Sequence, residues 1–209
     1  AQTNDMIPYV SAAGVVAAVV GDRELACGLI DRAPCSVWYV PEGAAPRLRR
    51  VLVPVDFSIR AADCMRVASV LGRLAGAAEC VALHVYFNAA VLAPELGKAA
   101  AQAAVAAAFH SFLKPIDMLG VPVRRCAREG NSVIKAIGEA AEHEQADAIV
   151  LATRGRTWCG SLLQPAIASQ VVRTSKVPVL VVKHFGPPRG FLELFAARLR
   201  NSSEDLCCN

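Results

Sequence analysis

Five short apolar runs recur from residue 50 onward, and the stretches between them carry helical spacing. The runs are "RVLVPVDF" (50–57), "ECVALHVYF" (79–87), "VPVRRCARE" (121–129), "DAIVLAT" (147–153) and "VPVLVVK" (177–183). The first, rich in valine, and "DAIVLAT" are what strands buried on both faces need, and the other three also read as strands. After the first run, Ser58 is placed to cap a helix in which Cys64, Val67, Leu71 and Leu74 recur at helical spacing. The alanine-rich segment at 92–118 predicts a long helix, with Pro115 bending or ending it. Gly130-Asn131 turns the chain into "SVIKAIGEAAEHEQ", and a last helix is expected over about 165–175. Strands alternating with helices give one fold class: α/β, a parallel sheet with right-handed crossovers and helices on both faces.

The residues before this unit repeat its end. "GVVAAVVGDRELACGLIDRAPCSVWYVPEG" (14–43) has the order strand, helix, proline, strand, as does "DAIVLATRG…ASQVVRTSKVPVLVVKHFG". Cys35–Val40 and Val177–Val182 match in type and position. The first copy is shorter by about eleven residues, and what it lacks is the loop between strand and helix. The expected organisation is residues 1–43 as the last part of a truncated repeat, 44–49 as linker, 50–184 as a complete unit and 185–209 as tail. One helix and two parallel strands do not close a core alone, so the fragment must pack on something. Pairing Cys35–Val40 antiparallel with Val177–Val182 removes two exposed strand edges at once. A homodimer through one of these edges, Val177–Val182 in particular, is the competing arrangement.

Composition narrows the function classes. With 209 residues, 55% of them hydrophobic, the chain can bury one full domain core and a smaller piece. A net charge of +4 is too mild for a nucleic-acid footprint. No apolar run approaches the roughly 18–20 residues of a membrane span, and no leader pattern opens the chain, so a cytoplasmic, soluble protein is expected. Its 8 cysteines show neither CxxC nor zinc spacing with histidine, which favours buried free thiols over disulfides or a metal site. No GxSxG, HExxH or P-loop lysine is present. His84, inside a strand run, reads as a core or dimer-face histidine.

Taken together, "RRVLVPVDFS", "LHV", "REGNSVIKAI", "ADAIVLATRGR" and "VPVLVVK", in this order and spacing, resemble the universal stress protein (UspA) family. The resemblance covers about 49–184 continuously and 14–43 as a partial second copy. It implies a flavodoxin-like sheet of order 3-2-1-4-5 and dimerisation through the last strand, with two repeats replacing two subunits in tandem members. Some members bind ATP and others do not. In those that do, the counterpart of Asp56 faces the adenine end. Their phosphates and ribose rest on a loop of glycine, two residues, glycine, nine residues, glycine and a hydroxyl residue.

Laid on this chain, the loop positions are Ala152, Gly155, Pro165 and Ala166. One glycine of three remains, and the hydroxyl is gone. Ala152 adds a Cβ where ligand and backbone approach closely. Pro165 removes an N–H from a helix start, where oriented donors bind anions, though proline is also a good first residue for a helix. The resemblance leaves Asp56, Thr153, Arg154, Gly155, Arg156, Ser161 and Ala166 as the candidate ATP site. In it, Arg154 and Arg156 supply charge and Gly160-Ser161 offers a shifted donor loop. Asp56 has a plainer reading as a turn cap at a strand end. The expectation is a non-catalytic regulatory or interaction module of the stress response, with a degenerate nucleotide loop and no cofactor. The alternative is an ATP- or AMP-responsive switch with slow ATP hydrolysis. Cys159, flanked by Arg154, Arg156 and Trp158, is the one thiol placed for a redox role. In the tail, Phe191, Phe195 and Leu199 share one face of a short helix with arginines nearby, expected to dock on the side the missing repeat leaves open, on a partner, or on a membrane surface.

Overall fold

The computed structural model describes residues 17–45, 47–76, 79–87, 98–153 and 167–183. Seven strands form a single sheet: β1 (Ala17–Val20), β2 (Ser36–Tyr39), β3 (Arg50–Pro54), β4 (Glu79–Tyr86), β5 (Val123–Glu129), β6 (Ala148–Ala152) and β7 (Val179–Val182). Among the described residues five helices connect or flank them: α1 (Arg23–Arg32), α2 (Ile59–Leu74), α3 (Lys98–Leu113), α4 (Val133–His143) and α5 (Ile167–Thr174). The sheet order is β1-β2-β7-β6-β3-β4-β5. Within the complete unit this is the 3-2-1-4-5 order expected, extended by the two strands of the partial copy to a seven-stranded sheet. Among the described residues no helix is long and apolar enough to cross a membrane.

Helix boundaries follow local chemistry. Ser58 Oγ accepts the Ala61 N–H and starts α2, Ser132 Oγ accepts the Lys135 N–H and starts α4, and Asp22 accepts the Leu25 N–H and starts α1. Helix α3 ends before Pro115, which cannot continue it. At the end of α4, Gln145 adopts φ 51° while the Ala146 and Gln145 amides bond back to Ala141 and Glu142. This is a Schellman ending with glutamine where glycine is usual. Of the helical positions expected inside α2, Cys64, Val67 and Leu71 are buried, but Leu74 is exposed. It is the last residue of the helix, where the chain turns away toward Gly76.

Alternation along the strands divides the core into two layers. Val20, Val37, Tyr39, Val181, Ile149 and Leu52 face α1, α4 and α5. Val51, Val53, Ala82, Val150 and Leu180 face α2 and α3. The first layer runs without a break from the partial copy into the complete unit, so residues 17–45 share one core with the rest.

The seam between the copies is antiparallel, with Val37 opposite Val181, Trp38 opposite Leu180 and Tyr39 opposite Val179. The intrachain pairing expected from the sequence is therefore present, and it occupies the outer edge of β7. A homodimer through that edge is closed in this fold, because β2 already satisfies its backbone groups. Around the seam each copy caps a helix of the other. Arg23 of α1 donates to the carbonyl oxygens of Arg173 and Ser175 at the end of α5. In return the Lys183 ammonium donates to the carbonyls of Leu29 and Ala33 at the end of α1. Cations belong at helix C-termini, where the unpaired carbonyls concentrate negative potential. Arg23 also lies over the Tyr39 ring, 5.3 Å from its centroid.

Candidate functional site

In a sheet of this order ligands bind beyond the carboxyl ends of the strands, where the connections change direction between β3 and β6. The register shows the opening. β3 and β6 pair only at Val51 with Ala148 and Leu52 with Ile149. Beyond that point β3 stays with β4 through Pro54 opposite Leu83, and the Val55 N–H bonds the Leu83 carbonyl at 2.7 Å. β6 stays with β7 through Ala152 opposite Val182, and the Thr153 N–H reaches the Val182 carbonyl at 3.3 Å. The two central strands thus part at their ends, leaving Asp56 on one lip and Thr153 on the other.

On the β3 lip, Asp56 Oδ1 accepts the Ser58 N–H at 3.1 Å, the turn-capping role open to an aspartate at a strand end. Between them Phe57 takes φ 61°, an uncommon conformation for a bulky side chain. Its ring is held at 4.3 Å from the His84 ring, and meets Phe109 and Phe112 edge-on at 5.2 and 5.6 Å. His84 Nδ1 lies 2.9 Å from the Val55 carbonyl. A carbonyl only accepts, so Nδ1 is the donor in this bond. His84 is therefore a core-side residue beside the opening, away from the β2–β7 seam. This Phe57–His84 shelf next to Asp56 is not legible in the sequence. The signal lay in parallel register, which sets the end of β4 beside the turn after β3.

Of the candidate residues, Asp56 lies two residues beyond the end of β3 and Thr153 directly after the end of β6, the two strands that border the opening. Ala152 is the last residue of β6 and pairs in register with Val182, so a side chain stands where the family pattern has a glycine. Arg154, Gly155, Arg156, Ser161, Pro165 and Ala166 lie outside the described residues, as do Cys159 and the tail from 184.

The nearby thiols are poor nucleophiles. Burial pushes the Cys64 thiol far up, and the charges of Asp63 and Asp56 push it further. Burial pushes Cys80 up to about 12, with Glu79 adding to it. Burial likewise raises Cys27 and Cys35. At neutral pH these four remain protonated and behave as small apolar groups. Cys27, Cys35, Cys64, Cys80 and Cys126 are all free. No group of three or more metal-ligating side chains occurs among the described residues.

The opposite, amino end of the sheet is densely ionic. Arg50 Nε donates to Glu79 at 2.7 Å, Arg124 bridges Glu79 and Glu144, and Arg47 pairs with Asp147 at 2.9 Å. Asp147 also accepts the backbone N–H groups of Arg49 and Arg50 at 2.8 and 3.0 Å. Hydrogen bonds from Arg124 hold Glu144 below the usual carboxylate range, against the effect of its burial. Burial pushes Glu79 up, but hydrogen bonds from Arg124 and Arg50 outweigh it and the net direction is down.

The fold is similar to that of a universal stress protein from Archaeoglobus fulgidus (TM-score 0.62, 22% identity, 88% of this chain and 66% of that one). It is also similar to the functionally unknown protein PA1789 from Pseudomonas aeruginosa PAO1 (TM-score 0.62, 18% identity, 98% of this chain and 73% of that one). A third similar structure is UspA from Lactobacillus plantarum (TM-score 0.51, 23% identity, 66% of this chain and 99% of that one). At these identities the likeness establishes the flavodoxin-like fold alone. Comparison with curated proteins gives no match. The sequence model of the universal stress protein family matches residues 47–183, the complete unit from the linker to the end of β7. On that match, and on the sheet order that accompanies it, the chain belongs to the universal stress protein family.

Proposed function

We propose that this protein is a non-catalytic regulatory or interaction module of the stress response, acting through protein contacts, and that its nucleotide loop no longer holds ATP at ordinary strength. The observation that carries the reading is the departure at the loop positions, with Ala152 closing β6 and Pro165 and Ala166 following. Two donors to a charged acceptor are lost there, about 1.5–3 kcal/mol each, or roughly two to four orders of magnitude in affinity together. In the partial copy the chain passes from β1 to α1 through Gly21-Asp22 alone, and Asp22 is used as the helix cap. No phosphate loop exists there. We read the partial copy as the last βαβ of a shortened repeat standing where a second subunit would stand, a reading supported by the antiparallel β2–β7 seam and the reciprocal helix caps.

One observation favours a second reading, a nucleotide-responsive switch: the strand fork itself, with Asp56 and Thr153 on its lips and Arg154 and Arg156 following in sequence. Thermal unfolding with and without excess Mg-ATP separates the two. A ligand at about 100 times its Kd stabilises the folded state by about 2.7 kcal/mol. The first reading predicts no shift in Tm at millimolar ATP. A clear rise that Gly155→Trp abolishes establishes the switch instead.

A further inference from the structure

One row of side chains crosses the α2-side face of the sheet through four strands. Val150 pairs with Leu180, Leu180 with Trp38, and Trp38 with Val19. Along this row the cover runs out. Val150 and Leu180 are 0% and 1% exposed, Trp38 is half-buried, and Val19 is 69% exposed. The cause is in the topology. Helix α2 packs on β3, β4 and β6, whereas α1, the helix on β1 and β2, packs from the opposite side. No described helix packs on β1 or β2 from the α2 side, so among the described residues these two strands have no second layer. At the same place the Trp38 indole nitrogen is buried without an acceptor, an orphan donor of the kind a folded protein ordinarily partners.

We propose that this bare face is the docking site of the chain's own C-terminal segment, residues 187–200, laid across β1 and β2 as a short helix. Three observations select this occupant. The chain leaves the sheet at Lys183, whose N–H bonds Ser36 Oγ at 3.2 Å, so the exit from β7 lies beside the start of β2. Only residues 184–186 separate that exit from the segment, and such a stretch spans up to about 3.3 Å per residue when extended, enough to turn back onto the neighbouring strand. Phe191, Phe195 and Leu199 then recur every four residues, one apolar stripe on one helix face. Dimensions agree as well. A helix with its side chains is about 10–12 Å across, and two strands at a spacing of about 4.8 Å fill that width. A helix this short is marginal in water and gains stability by burying such a stripe. On such a helix Arg189 and Arg200 fall on the side away from the stripe, while Arg198 borders it and reaches water along its stem. The inference rests on the sheet and does not depend on the nucleotide reading.

The test uses the full chain. A benzophenone side chain introduced at position 19 is photo-activated, and the linked peptides are mapped by mass spectrometry. Linkage within one molecule to residues 187–200 is expected. Linkage between two molecules, or to other segments only, overturns the proposal, the former placing a second copy on the face. A second measurement leaves Val19 untouched: amide hydrogen exchange of β1 and β2 in the native sequence and in Phe191→Asp/Phe195→Asp. The expected result is at least a roughly tenfold faster exchange in those two strands and unchanged exchange in β3 and β4. Equal exchange of β1 and β2 in both proteins overturns it.

Discussion

The two ends of the sheet are built from different chemistry. At the amino end, strand starts and helix ends are joined by charges: Arg47, Arg50, Glu79, Arg124, Glu144 and Asp147 form a connected set, with Glu144 only 7% exposed at its side chain. At the carboxyl end the described contacts on the β3 lip are a turn-capping aspartate, a serine cap and an aromatic shelf of Phe57, His84 and Phe109. The first arrangement fixes the fold and is remote from where ligands sit in such sheets; the second surrounds the place where they would sit. The lesson is that the strongest polar network of this chain is structural. The carboxyl end carries instead the strand fork, whose loop on the function proposed above no longer supplies phosphate donors.

This contrast can be broken by substitution. Glu144→Gln leaves Arg124 and Arg128 without their shared partner, and is expected to cost about 1–3 kcal/mol by chemical denaturation at pH 7. Ser58→Ala at the carboxyl end removes an N-cap and is expected to cost about 1 kcal/mol. The two respond differently to acid. Glu79 and Glu144 have folded-state values held down, so their contribution is complete above the unfolded glutamate value of about 4.3 and is lost as pH falls through the lower folded values. The penalty of Glu144→Gln therefore shrinks as pH drops below about 4.3, whereas that of Ser58→Ala stays. Equal pH dependence of the two penalties contradicts the division between the ends. The smallest effect is a gain: Gln145→Gly relieves a left-handed residue at the end of α4 and is expected to stabilise by about 0.5–1 kcal/mol.

Much of this arrangement is legible in the residues. The apolar runs of β3, β6 and β7 give buried parallel strands because burial on both faces leaves no alternative pattern, whereas β5, half-exposed at the sheet edge, is readable only from its place in the alternation. The internal repeat points to the β2–β7 seam because two strand edges of matching sequence needed cover. Ser58 and Asp56 are readable because caps and turns are local chemistry. The Phe57–His84 shelf is not, since it depends on the register between β3 and β4 and on a positive φ at a phenylalanine. Nor is the ionic set at the amino end: Glu79, Arg124 and Glu144 are far apart in sequence and look like ordinary surface charges until the strands align them. Leu74 shows the converse error, a residue with the right helical spacing that lies at the helix end and stays exposed.

The central claim, that the departures at the loop have removed ordinary ATP affinity, is tested most directly by calorimetric titration of Mg-ATP into the native protein and into Ala152→Gly/Pro165→Gly/Ala166→Ser. The account predicts no saturable binding by the native protein below the millimolar range and a gain of about 100-fold or more in the restored variant. Micromolar binding by the native protein, abolished by Gly155→Trp, contradicts it.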